Sequence, residues 1–292
     1  KYASTIEKLY THTSFLRAHC KANVEMTGAK TCRVYMLNTT PVVDYTRNGN
    51  SRYGEVKDVQ DTVVEYMMTQ DKSFTGVVDK GDESEQAISN KSGQWLRQQI
   101  AEQCVPTGDK YGFARIAKLG HIAGVTAEPT KSTIVTMVYD AATYMDEHLV
   151  PENGRVLFVR AKDYPKIILS DEWHGLDSLA GKQLPTGTVG QIAGFTVVKV
   201  PSNMFPTDVY MVAAQESALA FPYRINDTKI HQDPPGISGA LIEGRQTYDL
   251  FVLASKADAV VVIGKDGSKQ ACTVAIASHS ATVTAAGADE IW

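Results

Sequence analysis

Residues 45–74 read YTRNGNSRYGEVKDVQDTVVEYMMTQDKSF, a polar, glycine-bearing stretch that runs into a strand-like one. Just upstream, Arg33–Pro41 is rich in Val, Tyr and Thr and bounded by Pro41. Thr62–Met68 carries Val63, Val64, Tyr66 and two methionines. Both flanks have strand composition, and Phe74–Val78 is expected to continue the second arm. Asn48-Gly49, Asn50 and Gly54 tolerate positive φ, which a long hairpin needs where it turns. The connection is too long for an ordinary turn and too charged to be core. A two-stranded hairpin alone is marginal in water and leaves its edges unpaired. Such a segment needs a surface to lie on, and another subunit supplies one; a mobile loop on a monomer is the competing reading.

The 292 residues exceed one typical domain and hold one large core or two medium ones. Hydrophobic content of 43% and charged content of 21% exclude global disorder. No apolar run approaches the roughly 18 to 20 residues of a membrane span, and the opening KYASTIEKLYTHTSF has no signal-peptide core. A soluble subunit made in a cytoplasm is therefore expected. Cys20, Cys32, Cys104 and Cys272 form no Cys-x-x-Cys pair, and His12, His19, Cys20 and Cys32 fit no familiar zinc spacing, so no metal is expected.

A net charge of −4 hides a division along the chain. Residues 1–33 carry six basic and two acidic side chains, whereas residues 44–91 carry six basic and ten acidic. A basic arm and an acidic hairpin can attract each other between copies, and salt would weaken that contact. Two solvated polar segments explain the same charges. The charge of this arm alone is weak evidence for a nucleic-acid-binding surface.

Further along, Ser92–Val105 has a helical stripe of Leu96, Ile100 and Cys104 beside Trp95, and Pro106 is expected to break or kink it. Lys131–Leu149 is the strongest helical pattern, with Ile134, Met137, Val138, Ala141, Tyr144, Met145 and Leu149 on one apolar face. Pro151, Asn153 and Gly154 stop it, and Arg155–Val159 follows as a buried strand. Further strands are expected at Phe195–Val200, Val209–Ala213, Tyr248–Leu253 and Val260–Ile263, with Asp233-Pro234-Pro235-Gly236 as a rigid loop. Thr273–Thr284 reads as a strand or extended tail. The class is α+β.

Motifs for catalysis are weak. Gly187-x-x-Gly190-x-x-x-Gly194 lacks the dinucleotide-binding spacing and precedes a strand-like run. Tyr53-x-x-x-Lys57 mimics a dehydrogenase pair but sits in the hairpin. No G-x-S-x-G, H-E-x-x-H or phosphate-binding loop occurs, and the adjacent acids Asp146-Glu147 and Asp171-Glu172 read as solvated faces. No catalytic residue, cofactor or metal ligand is assigned; an α+β enzyme of unknown chemistry is the alternative from another class.

Several blocks in order give the chain a specific likeness. They are Asp44-Tyr45-Thr46-Arg47 with Arg52-Tyr53-Gly54, Thr69-Gln70-Asp71-Lys72-Ser73-Phe74, Leu149-Val150-Pro151-Glu152-Asn153-Gly154-Arg155-Val156-Leu157, GTVGQIAGFTVV from Gly187, PPGISGALIEGR from Pro234, and Tyr248-Asp249-Leu250-Phe251-Val252-Leu253. Over roughly residues 1–264 the chain resembles the major capsid proteins of tailed bacteriophages with the Hong Kong 97 type fold.

The resemblance implies an N-terminal arm over 1–32, an E-loop hairpin with its flanks over 33–90, and a peripheral domain with a long spine helix over 91–129. It further implies an axial domain over 130–225, a return through the peripheral domain with closing strands over 226–264, and a tail over 265–292. The peripheral loop falls near Asp227–Gly239. The implied function is an icosahedral shell around double-stranded DNA, built from hexamers and pentamers in the bacterial host cytoplasm and residing in the virion. Implied partners are further copies of the chain, a scaffolding protein, a portal protein, weakly and non-specifically held DNA and a decoration protein, with no membrane. A separate scaffolding protein is expected because the chain starts directly at the arm. Arg47, Gly49, Arg52, Tyr53, Gly54 and Lys72 are the candidate intersubunit contacts. Some relatives crosslink an E-loop lysine to an asparagine. Lys57, Lys72 and Lys80 are available here, but no block identifies the asparagine or the promoting glutamate, so non-covalent closure is expected. An encapsulin-like nanocompartment of the same fold is the nearest alternative.

Overall fold

The computed structural model describes residues 13–28, 30–37, 39–48, 52–55, 61–79, 92–170 and 188–265. Thr273–Thr284, Lys57, Lys80, His12 and the Asp171-Glu172 pair lie outside the described residues.

Largely apolar strands form the central sheet. It contains β5 (His121–Val125), β6 (Arg155–Arg160), β7 (Thr188–Ile192), β8 (Phe195–Val200), β9 (Val209–Gln215) and β14 (Val260–Lys265), in the order β5-β14-β9-β6-β8-β7. β14 with β5 and β6 with β8 are parallel, and the other pairs are antiparallel. All residues of β6 and β9 are buried because both faces of the sheet are covered. On one face α3 (Ile134–Glu147) and the short α4 (Tyr164–Ile168) lay Ile134, Val138, Ala141, Met145 and Ile167 onto Leu157, Val159, Met211 and Ala213. On the other face Leu16, Phe113 and Ile116 meet Val156, Phe158, Val212 and Val262. β5 and β14 lie outside the 130–225 bounds of the expected axial domain, yet they complete its sheet.

Phe113 and Ile116 belong to a helical path that runs from α1 (Ser92–Gln99) through a π turn at Ile100–Cys104 into α2 (Val105–Leu119). The expected break at Pro106 does not occur. Proline lacks an N–H and crowds the carbonyl four residues back, but it is tolerated in a first helical turn. Here the wider π turn comes first, with the Val105 N–H bonded to the Ile100 carbonyl, and Pro106 falls in the first turn of α2. Gly112 leaves the hollow that Leu16 fills; a Cβ there would stand 2.5 Å from Leu16 Cδ1. Beside it, buried Asp109 accepts from Ser14 Oγ (2.6 Å) and the Phe15 N–H (2.7 Å). Burial raises its carboxyl above the usual range, while these bonds pull the other way.

A second, longer sheet has the order β11-β12-β4, with β4 at Gln70–Asp79, β11 at Tyr223–Gln232 and β12 at Gly239–Tyr248. Thus Phe74–Val78 does not continue the hairpin arm; it pairs with β12, Phe74 opposite Gly244. The expected loop at Asp227–Gly239 is mostly strand, and only the Asp233–Gly236 turn matches it. Its hallmarks are positive φ at Asp233 and Gly236 and an Asp233 N–H bond to the Gly239 carbonyl at 2.8 Å. Gly76 and Gly244 leave space for Trp95 and Phe74, which seat the sheet near α1.

The expected strand Tyr248–Leu253 is interrupted. β12 ends at Tyr248, and β13 is only Phe251–Val252, paired with β10 (Leu219–Ala220). Asp249 lies between, with no exposed surface. It accepts from the Thr69 N–H (2.9 Å), Thr69 Oγ1 (2.7 Å), the Tyr111 hydroxyl (2.9 Å) and the Leu250 N–H (2.7 Å), with Arg115 Nε at 3.8 Å.

One further expectation fails at the end of α3. Leu149 is not on the apolar face. It follows the helix in left-handed backbone (φ 55), its N–H bonds the Asp146 carbonyl and the Val150 N–H bonds the Met145 carbonyl, a cap that glycine usually closes. A leucine in that conformation costs about 1 kcal/mol. Asp146 is exposed, as read from the sequence, and also accepts at 2.7 Å from Arg155, whose side chain is buried.

Asp249→Ala should remove the shared acceptor of three elements and leave buried donors unmatched. Denaturant unfolding should show a loss of about 3 kcal/mol; an unchanged midpoint would show that the junction does not hold the subunit together.

Candidate functional site

The hairpin forms as its alternation dictates. β2 (Thr31–Leu37) pairs with β3 (Asp61–Met67) from Thr31 opposite Met67 to Leu37 opposite Asp61, and β1 (Glu25–Thr27) adds a third strand. One face of its root is buried: Cys32 and Met68 pack with Ala220 and Phe251, and the Tyr66 ring lies 5.0 Å from that of Phe251. Tyr35, Val63 and Met67 face the other way and are exposed, beside an Arg33–Glu65 ion pair of 2.6 Å.

Beyond β2 the chain leaves regular structure. The Thr46 N–H bonds the Arg52 carbonyl at 3.1 Å, and the rings of Tyr45 and Tyr53 meet edge to face at 5.1 Å. Gly54 has φ +85, and a Cβ on it would stand 2.7 Å from Val43 Cγ2, so glycine is needed here on both counts. The closed tip buries almost nothing: Val42 is 99% and Tyr53 85% exposed, and Arg47 and Arg52 are exposed beside them.

Of the sequence-derived contact residues, Arg47, Arg52, Tyr53 and Gly54 come together at this tip. Gly49 lies outside the described residues. Lys72 is elsewhere, on β4 opposite Gln246 in the long sheet. Sequence reasoning passed over Val42 and Val43, although two apolar residues between Pro41 and an acidic residue, with no strand period around them, are a signal for an uncovered patch.

An electrostatic clamp ties the root of the hairpin to the long sheet, and no sequence pattern signals it. Asp71 on β4 receives a bidentate pair from Arg245 on β12, with Nε to Oδ1 at 2.7 Å, and Lys30 Nζ approaches at 2.9 Å. Hydrogen bonds from Arg245 first, and then Lys30, hold the Asp71 carboxyl well below the usual carboxylate range.

Charges around α4 are matched internally. A hollow of about 400 Å³ includes Glu128, Arg160, Lys162 and Tyr210 in its wall, where Glu128 pairs with Arg160 (2.9 Å) and Lys162 (2.6 Å), and buried Asp163 pairs with Arg160 and Lys166. The once-considered zinc residues are separated: His19 bonds Glu216 at 2.8 Å, while Cys32 approaches Met26 Sδ. Among the described residues no three His, Cys, Asp or Glu side chains gather, and no helix is long and apolar enough to cross a membrane.

No family model and no curated protein matches the chain. Solved structures do match it. A structure from Mycobacterium phage Che8 is 21% identical with a TM-score of 0.68, over 92% of this chain and 97% of that one. The capsid structure of cyanophage P-SCSP1u is 13% identical with a TM-score of 0.69, over 91% and 92%. The mature capsid of bacteriophage PhiM1 is 13% identical with a TM-score of 0.65, over 90% of each chain.

A carboxylate with a depressed folded pKa stabilises fully above its unfolded value, about 3.9, and loses that contribution as pH falls through the folded value. Acidification below about pH 4 should therefore loosen the hairpin root, read as faster hydrogen exchange over residues 61–79. In Asp71→Asn that acid-dependent component should vanish; an unchanged profile would mean that another group titrates there.

Proposed function

We propose that this chain, which has the Hong Kong 97 type fold of tailed-phage capsid structures, is the major capsid subunit that builds the icosahedral shell around a double-stranded DNA genome. The observation that carries the reading is the hairpin. Its root is anchored by a buried face and the Asp71 clamp, while its outer face and tip leave Tyr35, Val63, Met67, Val42 and Tyr53 bare. Such a projection becomes favourable when another subunit covers it.

In this reading residues 33–90 are the E-loop and its flanks, and residues 1–32 are the arm, of which the part from Ser14 is strapped to α2 and Glu216. The path from α1 to α2 is the spine helix of the peripheral domain at 91–129. The central sheet with α3 is the axial domain, expected over 130–225 and completed by β5 and β14. The long sheet includes the return over 226–264, and residues 265–292 form the tail. Identical chains join through heterologous contacts that close into hexamers and pentamers and then a shell. Interfaces of this obligate kind bury about 2,000 to 5,000 Å². Assembly in the host cytoplasm would use a scaffolding protein and a portal protein, with DNA held weakly and non-specifically inside and a decoration protein outside. A shell needs no catalytic residue, cofactor or metal.

Expressed alone and with a candidate scaffolding partner, the chain should give closed shells or capsomer rings by negative-stain microscopy and sedimentation. A well-folded monomer under every condition would overturn the reading. Shell contents distinguish a virus from a nanocompartment of the same fold. The double variant Arg47→Glu, Arg52→Glu should keep the wild-type circular dichroism and melting profile yet fail to form shells; normal shells would remove these arginines from the contact.

A further inference from the structure

The central sheet ends at β5, whose only strand neighbour among the described residues is β14. Sheet edges are ordinarily guarded by charges, proline or a bulge, because their unpaired N–H and C=O groups invite another chain. β5 has none of these: it reads His-Ile-Ala-Gly-Val and pairs with β14 without a register shift. Ile122 packs into the core on one side of the sheet, and Ala123 and Val125 into the core on the other, yet all three are only half-buried. A strand added here would need apolar residues on both faces. The chain itself holds one. It leaves β14 at Lys265, level with Val125, and from Gln270 to Ala288 it carries no Lys, Arg, Asp or Glu. Within that run, which lies outside the described residues, Thr273-Val274-Ala275-Ile276-Ala277 is apolar in both phases of the strand alternation.

We propose that Thr273–Ala277 adds a seventh strand to the six-stranded central sheet, antiparallel to β5 along its outer edge. The tether selects this site. Seven residues, 266–272, connect Lys265 to Thr273 and reach up to about 23 Å. The step from β14 across β5 to its far side is two strand spacings, about 10 Å. Asp266-Gly267-Ser268 opens the connection with turn-forming residues. The chain leaves β14 at the end where β5 also ends, so a returning strand runs antiparallel to both. Other edges fit less well: β4 carries Asp71 and Lys72, β11 carries Lys229 and His231, and β7 lies at the opposite margin of the sheet. Pairing also shelters an uncharged run with β-branched residues, which is an aggregation hazard when left bare. The added strand belongs to the single subunit and does not depend on shell formation.

Hydrogen exchange of the dispersed 292-residue chain, read by mass spectrometry, tests the pairing. In wild type, residues 122–125 and 273–277 should both be protected. Ala275→Pro plus Ile276→Pro removes two adjacent N–H groups, one of which faces β5 in either register. That variant should exchange residues 122–125 about tenfold faster than wild type, with residues 155–160 and 209–215 unchanged as the internal reference. A chain ended after Lys265 should show the same acceleration. Exchange of residues 273–277 at the rate of an unfolded peptide in wild type would overturn the added strand. So would a protected tail whose proline variant leaves 122–125 unchanged, because the tail then pairs elsewhere. Protection that arises only in assembled shells would place the tail on a neighbouring copy and overturn it as well.

Discussion

A single buried carboxylate organises the subunit. Asp249 has no exposed surface, and its oxygens take hydrogen bonds from the start of β4, from α2 and from the chain leaving β12. A charge so far from water is tolerable only when donors converge on it. Thr69 and Tyr111 lie 180 and 138 residues before Asp249 in the chain, so the hairpin root, the helical spine and the long sheet must be in place together. Leu16 in the Gly112 hollow and the Ser14–Asp109 bond extend the same junction to the N-terminal segment. The projection is therefore mounted on a rigid base, although its own tip packs on little.

That contrast between base and tip suits the assembly role proposed above. A hairpin loose at its root would pay the entropy of ordering each time it met a neighbour. Here the Asp71 clamp and the Cys32–Met68–Phe251 packing pre-set its direction, while the bare residues stay free for contact. In the proposed shell, spreading association over several modest patches allows misplaced subunits to leave before closure.

The parts legible in the sequence are those where one physical rule dominates. β6, β9 and most of β14 are covered on both faces and read as largely apolar runs, and α3 shows its stripe plainly. The hairpin showed itself through Asn48-Gly49 and Gly54, and four of its six contact candidates share the tip. Other elements hid because two rules competed. β11 carries Asp227, Lys229, His231 and Gln232 and looks like a loop, yet it pairs along β12. Pro106 signals a break, but the π turn before it lets helical bonding continue. Leu149 fits the helical period until the cap reverses its backbone, and Phe74–Val78 belongs to a different sheet because Thr69 is bound to Asp249, a partner far away in sequence.

The position of β14 sets a condition on timing. It is an interior strand of the central sheet, giving β5 its sheet partner and forming one neighbour of β9. Residues 260–265 come late in synthesis, so a nascent chain holds β5 without its ladder and β9 with one side open. The domain closes only once residue 265 has been made. An unfinished chain cannot offer the finished surfaces of a subunit, and translation itself becomes a checkpoint against incorporating truncated copies.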